Sequence, residues 1–374
     1  MFSSRLAWES TPNTISESLR ARRAAGHEIL DLTESNPTRA GFVFSSEEIL
    51  AAFADTRNLL YAPDPLGLPE ARAAVAAHQG VEADRVVLAS STSESYSWLF
   101  KLLANPGDEV LVPRPSYPLF DFLAGLESVK TRHYPLSYHE GWWVRSDLLR
   151  PLITKRTRAI LLVNPNNPTG SFIKDHELAQ LAAIAQEHSL ALISDEVFAD
   201  YGFGSDPRRV TTIDGVEGVN TFCLGGLSKA ALLPQMKLGW IVCGGPDRVQ
   251  AMDRIELIAD TYLSVGTPIQ HAAPKLLETI PAIQNQVRSR TASNLALLSG
   301  RHLHVEGGWY ATIRMPRTRS EEQWALTLIE DAGVLVQPGY FYDFEEEAYL
   351  VLSLLTDPAV FAEGLNRILS IAYN

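Results

Sequence analysis

Residues 157–195, TRAILLVNPNNPTGSFIKDHELAQLAAIAQEHSLALISD, contain the unit that decides the fold. TRAILLV is a short apolar run without alternation, the pattern of a strand covered on both faces. NPNNPTG (164–170) brings two prolines and a terminal glycine, an excellent turn sequence. HELAQLAAIAQEHS (176–189) has a helical pattern, and LALISD (190–195) is a second apolar strand. Strand, helix and strand in this order predict a βαβ unit with parallel strands.

The same alternation continues on either side. RVVLAS (85–90), DEVLVP (108–113), NTFCLGG (220–226) and GWIVCGG (239–245) read as further strands, and SESYSWLFKLLAN (93–105) as a helix. From Arg85 to about Gly245 we therefore expect a largely parallel α/β sheet with helices on both faces, its ligand held at the carboxyl ends of the strands. From about Pro268 the pattern changes. A helix-rich stretch leads to strands in GGWYATIRMP (307–316), VLVQP (334–338) and AYLVLSLL (348–355), with helices between and after them. That is a smaller α+β unit. Near the N-terminus, Thr14 to about Ala25 reads as a helix stopped by Gly26, and DLTESNPTRAGF (31–42) as an ordered loop. The expected division is a large domain over 45–265 and a discontinuous small domain formed by 1–44 and 266–374.

Composition narrows the class. The chain has 374 residues, 46% of them hydrophobic, and a formal net charge of -12. Without a dense Lys/Arg run, a nucleic-acid partner is not expected. No apolar run approaches the roughly 20 residues of a bilayer span, so no membrane partner is expected either. Two cysteines, Cys223 and Cys243, lie in apolar stretches and read as free thiols of a reducing cytoplasm. No metal site is expected.

Three polar positions follow consecutive strands: Asn167 in NPNNPTG, Asp195 at the end of LALISD, and Lys229 after NTFCLGGLS. Alone, these are a turn residue, a helix cap and a solvated lysine. Together at one sheet edge they meet three chemical needs. A carbonyl cofactor needs an amine nucleophile, a pyridinium nitrogen needs a fixed anion, and a phenolate on the same ring needs an amide donor. Where RVVLAS runs into the helix, the backbone N–H groups of Ser91, Thr92 and Ser93 lie at a helix N-terminus and suit a phosphate.

The motifs NPNNPTG, SDEVF (194–198) and LSKAALLPQMKLGW (227–240) resemble those of the class I and II aminotransferases, pyridoxal-phosphate enzymes of fold type I. The likeness runs from about Leu30 to the C-terminus. It implies that Lys229 carries pyridoxal 5'-phosphate as an imine and moves the α-proton, that Asp195 faces the ring nitrogen, and that Asn167 donates to the ring hydroxyl. It also implies that Tyr117 stacks on the ring and that Tyr61 reaches the phosphate of a neighbouring subunit in a homodimer. The expected reaction passes an amino group from an amino acid to a 2-oxo acid by a ping-pong route. A lyase or decarboxylase of the same fold is the alternative. A cofactor-binding regulator is disfavoured, since such relatives carry a fused DNA-binding domain for which the N-terminal segment is short.

Four positions depart from the family pattern. Lys237 stands where a phosphate-binding arginine is usual, as a point charge without the bidentate fork. Gly226 stands where many relatives have a hydroxyl, and Ser228 is the candidate to supply it. Phe198 replaces a tyrosine that donates to the ring hydroxyl. Val351 stands where an arginine forks onto the substrate's α-carboxylate. Asn36 and Arg39 in the 31–42 loop, and Arg314 in the strand of the small domain, are the candidates to take over substrate binding.

Overall fold

The apolar runs become the strands of one eight-stranded sheet in the computed structural model, which describes residues 2–8 and 11–373. Across the sheet the order is Val86–Ala89, Gly239–Gly244, Thr221–Gly226, Ala191–Asp195, Thr157–Val163, Glu109–Arg114, Lys130–Tyr138 and Trp142–Val144. The four central pairings are parallel, as the βαβ pattern predicts. Gly239–Gly244 instead runs antiparallel to both its neighbours. Only the four-residue helix Leu227–Ala230 and the 3-10 turn Pro234–Met236 precede it. A connection that short returns the chain beside the strand it left and cannot make a parallel crossover. The hairpin of Lys130–Tyr138 and Trp142–Val144, which the sequence pattern did not signal, closes the other edge.

Helices cover both faces. The Thr92–Leu103 helix buries Tyr96, Trp98, Leu99 and Phe100 against one face, in a cluster with Val112, Leu161 and Ile193. The other face is covered by a cluster that includes Leu162, Leu192, Trp240, Ala273 and Leu276. Each fully buried Leu or Ile contributes about 1.5–3 kcal/mol relative to exposure, so the two faces fix the sheet firmly.

A three-stranded antiparallel sheet, Tyr310–Arg314 with Tyr349–Ser353 and Gln337–Pro338, forms the smaller layer. Leu30–Asp31 pairs in parallel with Val334–Leu335, which ties the N-terminal segment to this part of the chain. Strand alternation divides its residues. Ala311, Ile313, Leu350 and Leu352 enter a core of their own, whereas Tyr310, Tyr349 and Val351 join the cluster on the large sheet that contains Phe198 and Trp309. Among the described residues, no helix is long and apolar enough to cross a membrane.

Candidate active site

Register brings the chemistry together. Val163 pairs with Asp195, and Asp195 with Leu224, so three parallel strands end side by side. The chain leaves the first strand through NPNNPTG, with the Asn164 amide donating to the Asp195 carbonyl at 2.8 Å. From Leu224 it runs on through Gly226 into the short helix that carries Lys229. A cavity of about 180 Å³ opens over these ends, and Asn167, Asp195, Phe198, Ser228, Lys229, Thr92 and Tyr117 all line it.

Asp195 is buried and held by two donors, the Tyr96 hydroxyl at 2.9 Å and the Val197 amide at 3.2 Å. Burial raises its pKa above the ordinary carboxyl value, and the two hydrogen bonds and Lys229 oppose that rise. Lys229 is shifted the other way. Burial lowers its amine below the usual lysine range, with Asp195 partly restoring it. Its Nζ lies 5.1 Å from the Trp309 ring centroid and 5.8 Å from that of Phe198. The main chain of Lys229 is fixed by the Tyr201 hydroxyl, which donates to its carbonyl at 2.6 Å. An amine of lowered pKa beside a buried carboxylate is equipped to attack a carbonyl and to exchange a proton.

At the other end of the cavity, Ser91 caps the Thr92–Leu103 helix, its hydroxyl accepting from the Glu94 amide at 3.2 Å. The first amides of a helix have no intrahelical acceptor and attract an anion. Gly239 lets the neighbouring strand approach this turn. A Cβ there would stand 2.9 Å from the Ser91 carbonyl carbon.

These residues fit pyridoxal phosphate on one direct observation. The buried Asn167 Oδ1 has no hydrogen-bond partner in the chain, although buried polar atoms are nearly always paired. The unpaired atom is an acceptor, so this amide is not tied into a core network, and Nδ2 of the same lining residue would be the donor to a ring hydroxyl. Thr92 and Ser228 line the same cavity at the helix start, where a phosphate would sit.

Other expected positions lie apart from the lining. Lys237 is exposed, in the left-handed backbone region at φ 55°. Tyr61 is 83% exposed and stands in a separate surface hollow with Tyr262 and Ser264. Asn36 is half-buried, its Oδ1 accepting from Thr38, and Arg39 is exposed. Arg314 is exposed and donates to the Tyr349 hydroxyl at 3.3 Å. Three lining or supporting residues escaped the sequence reading as site residues: Tyr96, Ser35 and Tyr310. Tyr96 could have been found, because it lies four residues, one helical turn, after Thr92 and carries a hydroxyl on an otherwise apolar helix face.

The fold and this site bring a lysine amine and a buried carboxylate into one cavity at the strand ends. The sequence model of aminotransferase class I and II matches residues 27–368, and the chain belongs to that family, whose members use pyridoxal phosphate. Nicotianamine aminotransferase A of Hordeum vulgare is 27% identical over 352 residues, 87% of this chain and 76% of that one. The glutamate-pyruvate aminotransferase AlaA of Escherichia coli is 30% identical over 255 residues, 66% of this chain and 63% of its own. The alanine aminotransferase of Pyrococcus furiosus shares the fold with a TM-score of 0.87 at 24% identity, covering 100% of this chain and 99% of that one. All three are named for amino-group transfer, which leaves the lyase or decarboxylase alternative without support.

Proposed function

We propose that this aminotransferase passes an amino group from an amino acid to a 2-oxo acid in two half-reactions at the Lys229 cavity. The observation that carries the reading is the pairing of Lys229 and Asp195, the two charged side chains among the described lining residues, at neighbouring strand ends. Pyridoxal phosphate, when bound, supplies a ring that withdraws electrons from the donor's α-carbon. Asp195, whose charged form Tyr96 and the Val197 amide favour against the effect of burial, would face the ring nitrogen. Asn167 would donate to the ring hydroxyl, with Phe198 beside it offering no second donor. Tyr117 would cover the ring. The amides of Ser91, Thr92 and Ser93, the Ser228 hydroxyl and Lys237 would hold the phosphate, together with Tyr61 of the partner subunit. Lys229, its basicity lowered by burial, takes a proton at the donor's α-carbon and returns it, with the Phe198 and Trp309 rings packed near its amine.

A homodimer follows from the same reading. Leu59, Leu60, Tyr61 and Tyr262 are exposed around the hollow that Tyr61 occupies, an apolar surface suited to burial against a second copy. The buried free thiols Cys223 and Cys243 suit a cytoplasmic setting. The proposed domains are 45–265 around the large sheet and 1–44 with 266–374 around the small one.

Borohydride reduction of the holoenzyme followed by peptide mapping tests the proposal. The cofactor is expected on Lys229, and Lys229→Ala should keep the fold but lose both cofactor absorbance and turnover. Label on a different lysine would refute the assignment.

A further inference from the structure

The part of the cavity wall contributed by the small sheet and the N-terminal loop is neutral. Tyr310 and Ser35 line the cavity there. Val351, on the same side of its strand as Tyr349, is fully buried in the apolar cluster that also holds Tyr310 and Phe198. No arginine is among the described lining residues. Arg39 is exposed. Arg314 lies four residues along the strand from Tyr310, about 14 Å at 3.4 Å per residue. Its guanidinium is engaged by Tyr349, through the hydroxyl at 3.3 Å and over the ring at 5.6 Å.

Tyr310 is held in place from two sides. Its ring meets Phe198 edge-on, with centroids 6.4 Å apart, and Tyr342 at a tilt, also at 6.4 Å. Tyr342 is fixed in turn by a hydrogen bond from its hydroxyl to Gln337. Burial pushes the Tyr310 hydroxyl up to about 12, against the pull of the Ser35 hydroxyl beside it. At neutral pH the phenol therefore keeps its proton and can donate. In the proposed function Asn167 and Asp195 serve the ring, Thr92 and Ser228 the phosphate, Lys229 the proton transfer, and Tyr117 covers the ring with its face. On the wall formed by the small sheet and the N-terminal loop, Tyr310 and Ser35 are left without a role toward the cofactor.

We infer that the neutral hydroxyl pair of Tyr310 and Ser35, and not a cation of the same chain, receives the polar end of the donor, making Tyr310 a specificity-determining residue. The inference rests on the amino-transfer reading and concerns only the substrate class. A buried carboxylate facing neutral donors lacks the compensation that a bidentate arginine supplies, so its ionic form gains little over a neutral acceptor of the same shape. The accepted donors are primary amines bearing a hydrogen-bonding group on the neighbouring carbon, and a carboxylate is one such group without special advantage.

The test uses four donors that share one side chain: phenylalanine, its amide, its amino alcohol and phenethylamine. Each is mixed with holoenzyme, and the first half-reaction is followed by the change in cofactor absorbance. Acid, amide and alcohol should react with kcat/KM values within roughly tenfold of one another, because the anchoring hydrogen bonds are similar. Tyr310→Phe should raise KM for those three by roughly tenfold, with kcat nearly kept and phenethylamine unaffected. A preference for the acid above roughly a thousandfold, abolished by Arg39→Ala or Arg314→Ala and untouched by Tyr310→Phe, overturns the inference and leaves the aminotransferase reading standing. Silence from all four donors and from every other common amino acid, with cofactor bound on Lys229, would instead bring down the aminotransferase reading and this inference with it.

Discussion

The Tyr96 hydroxyl donates to Asp195 Oδ2 across 2.9 Å, joining the helix that begins after Ser91 to the carboxylate at the end of the central strand. Both groups are buried. Burial, and then the neighbouring Asp195, keep the Tyr96 phenol well above its ordinary pKa, so it holds its proton and stabilises the carboxylate. One helix thus provides unpaired amides at its first turn and the brace for the Asp195 carboxylate one turn later.

Tyr96→Phe removes that brace with little change in volume. A hydrogen bond to a charged group is worth about 1.5–3 kcal/mol, so kcat should fall about tenfold to a hundredfold with KM less affected. Asp195 would also become harder to ionise, since a donor that favours its charged form is gone. The acid limb of the kcat profile should therefore move to higher pH in the variant. Wild-type kcat and an unmoved limb would show that Tyr96 only fills space.

Glu196, the residue after Asp195, makes a separate prediction about stability. Burial pushes its carboxyl from 4.5 up to about 7, although the Ile213 amide donates to it at 2.9 Å. The folded state binds this proton more tightly than the unfolded chain does. The resulting stability is fully present below the unfolded value near 4.5 and is lost as pH rises through about 7. At about 1.4 kcal/mol per pKa unit, the effect is on the order of 3 kcal/mol. Glu196→Gln cannot titrate but keeps an acceptor for Ile213. Between pH 5 and pH 8 the melting temperature of the wild type should fall more than that of Glu196→Gln. Parallel curves would refute the buried titration.

The loop after Asn167 and the strand of Tyr310 are locked to each other by a buried ion cluster. Glu306 accepts from Lys174 Nζ at 2.7 Å, Arg209 Nε at 3.2 Å and the Phe172 amide at 3.0 Å, and Lys174 is 2% exposed. Removing one partner of a buried pair leaves an uncompensated charge, at a cost of about 3–5 kcal/mol. Glu306→Ala should lower the urea midpoint sharply, and adding Lys174→Met should recover part of the loss. A double variant as unstable as the sum of the two single variants would mean that the charges do not interact.

Much of the site was legible because strand ends and motif residues coincide. The apolar runs fixed where Asn167, Asp195 and Lys229 leave the sheet, and their register then sets them side by side. The family resemblance supplied roles for Tyr117, Ser228 and Tyr61, which spacing alone could not. Tyr96 was hidden because a helix face reads as core whether or not one of its aromatics carries a working hydroxyl. Ser35 and Tyr310 were hidden because they meet only through tertiary packing, on elements far apart in sequence. The antiparallel strand Gly239–Gly244 has the same apolar composition as its parallel neighbours, and its direction depends on the length of the preceding connection.

Tyr61 yields the last prediction. Its ring is 83% exposed and does not line the Lys229 cavity of its own chain, so a role at the phosphate requires a second copy. In a two-fold dimer, each cavity would combine Lys229 of one chain with Tyr61 of the other. Tyr61→Ala and Lys229→Ala homodimers should each be impaired, the first through weaker cofactor retention and the second through loss of the amine. Co-expressing the two chains separates the possibilities. With action across the interface, every mixed dimer holds one site with both residues intact and one with neither. Random pairing makes half the dimers mixed, so about a quarter of wild-type activity should appear above the homodimer background. If Tyr61 served its own chain, the mixed dimer would contain no intact site and nothing would be recovered. Sedimentation of the same samples distinguishes a failure to pair from a failure to complement, since the recovered activity must travel with the dimer.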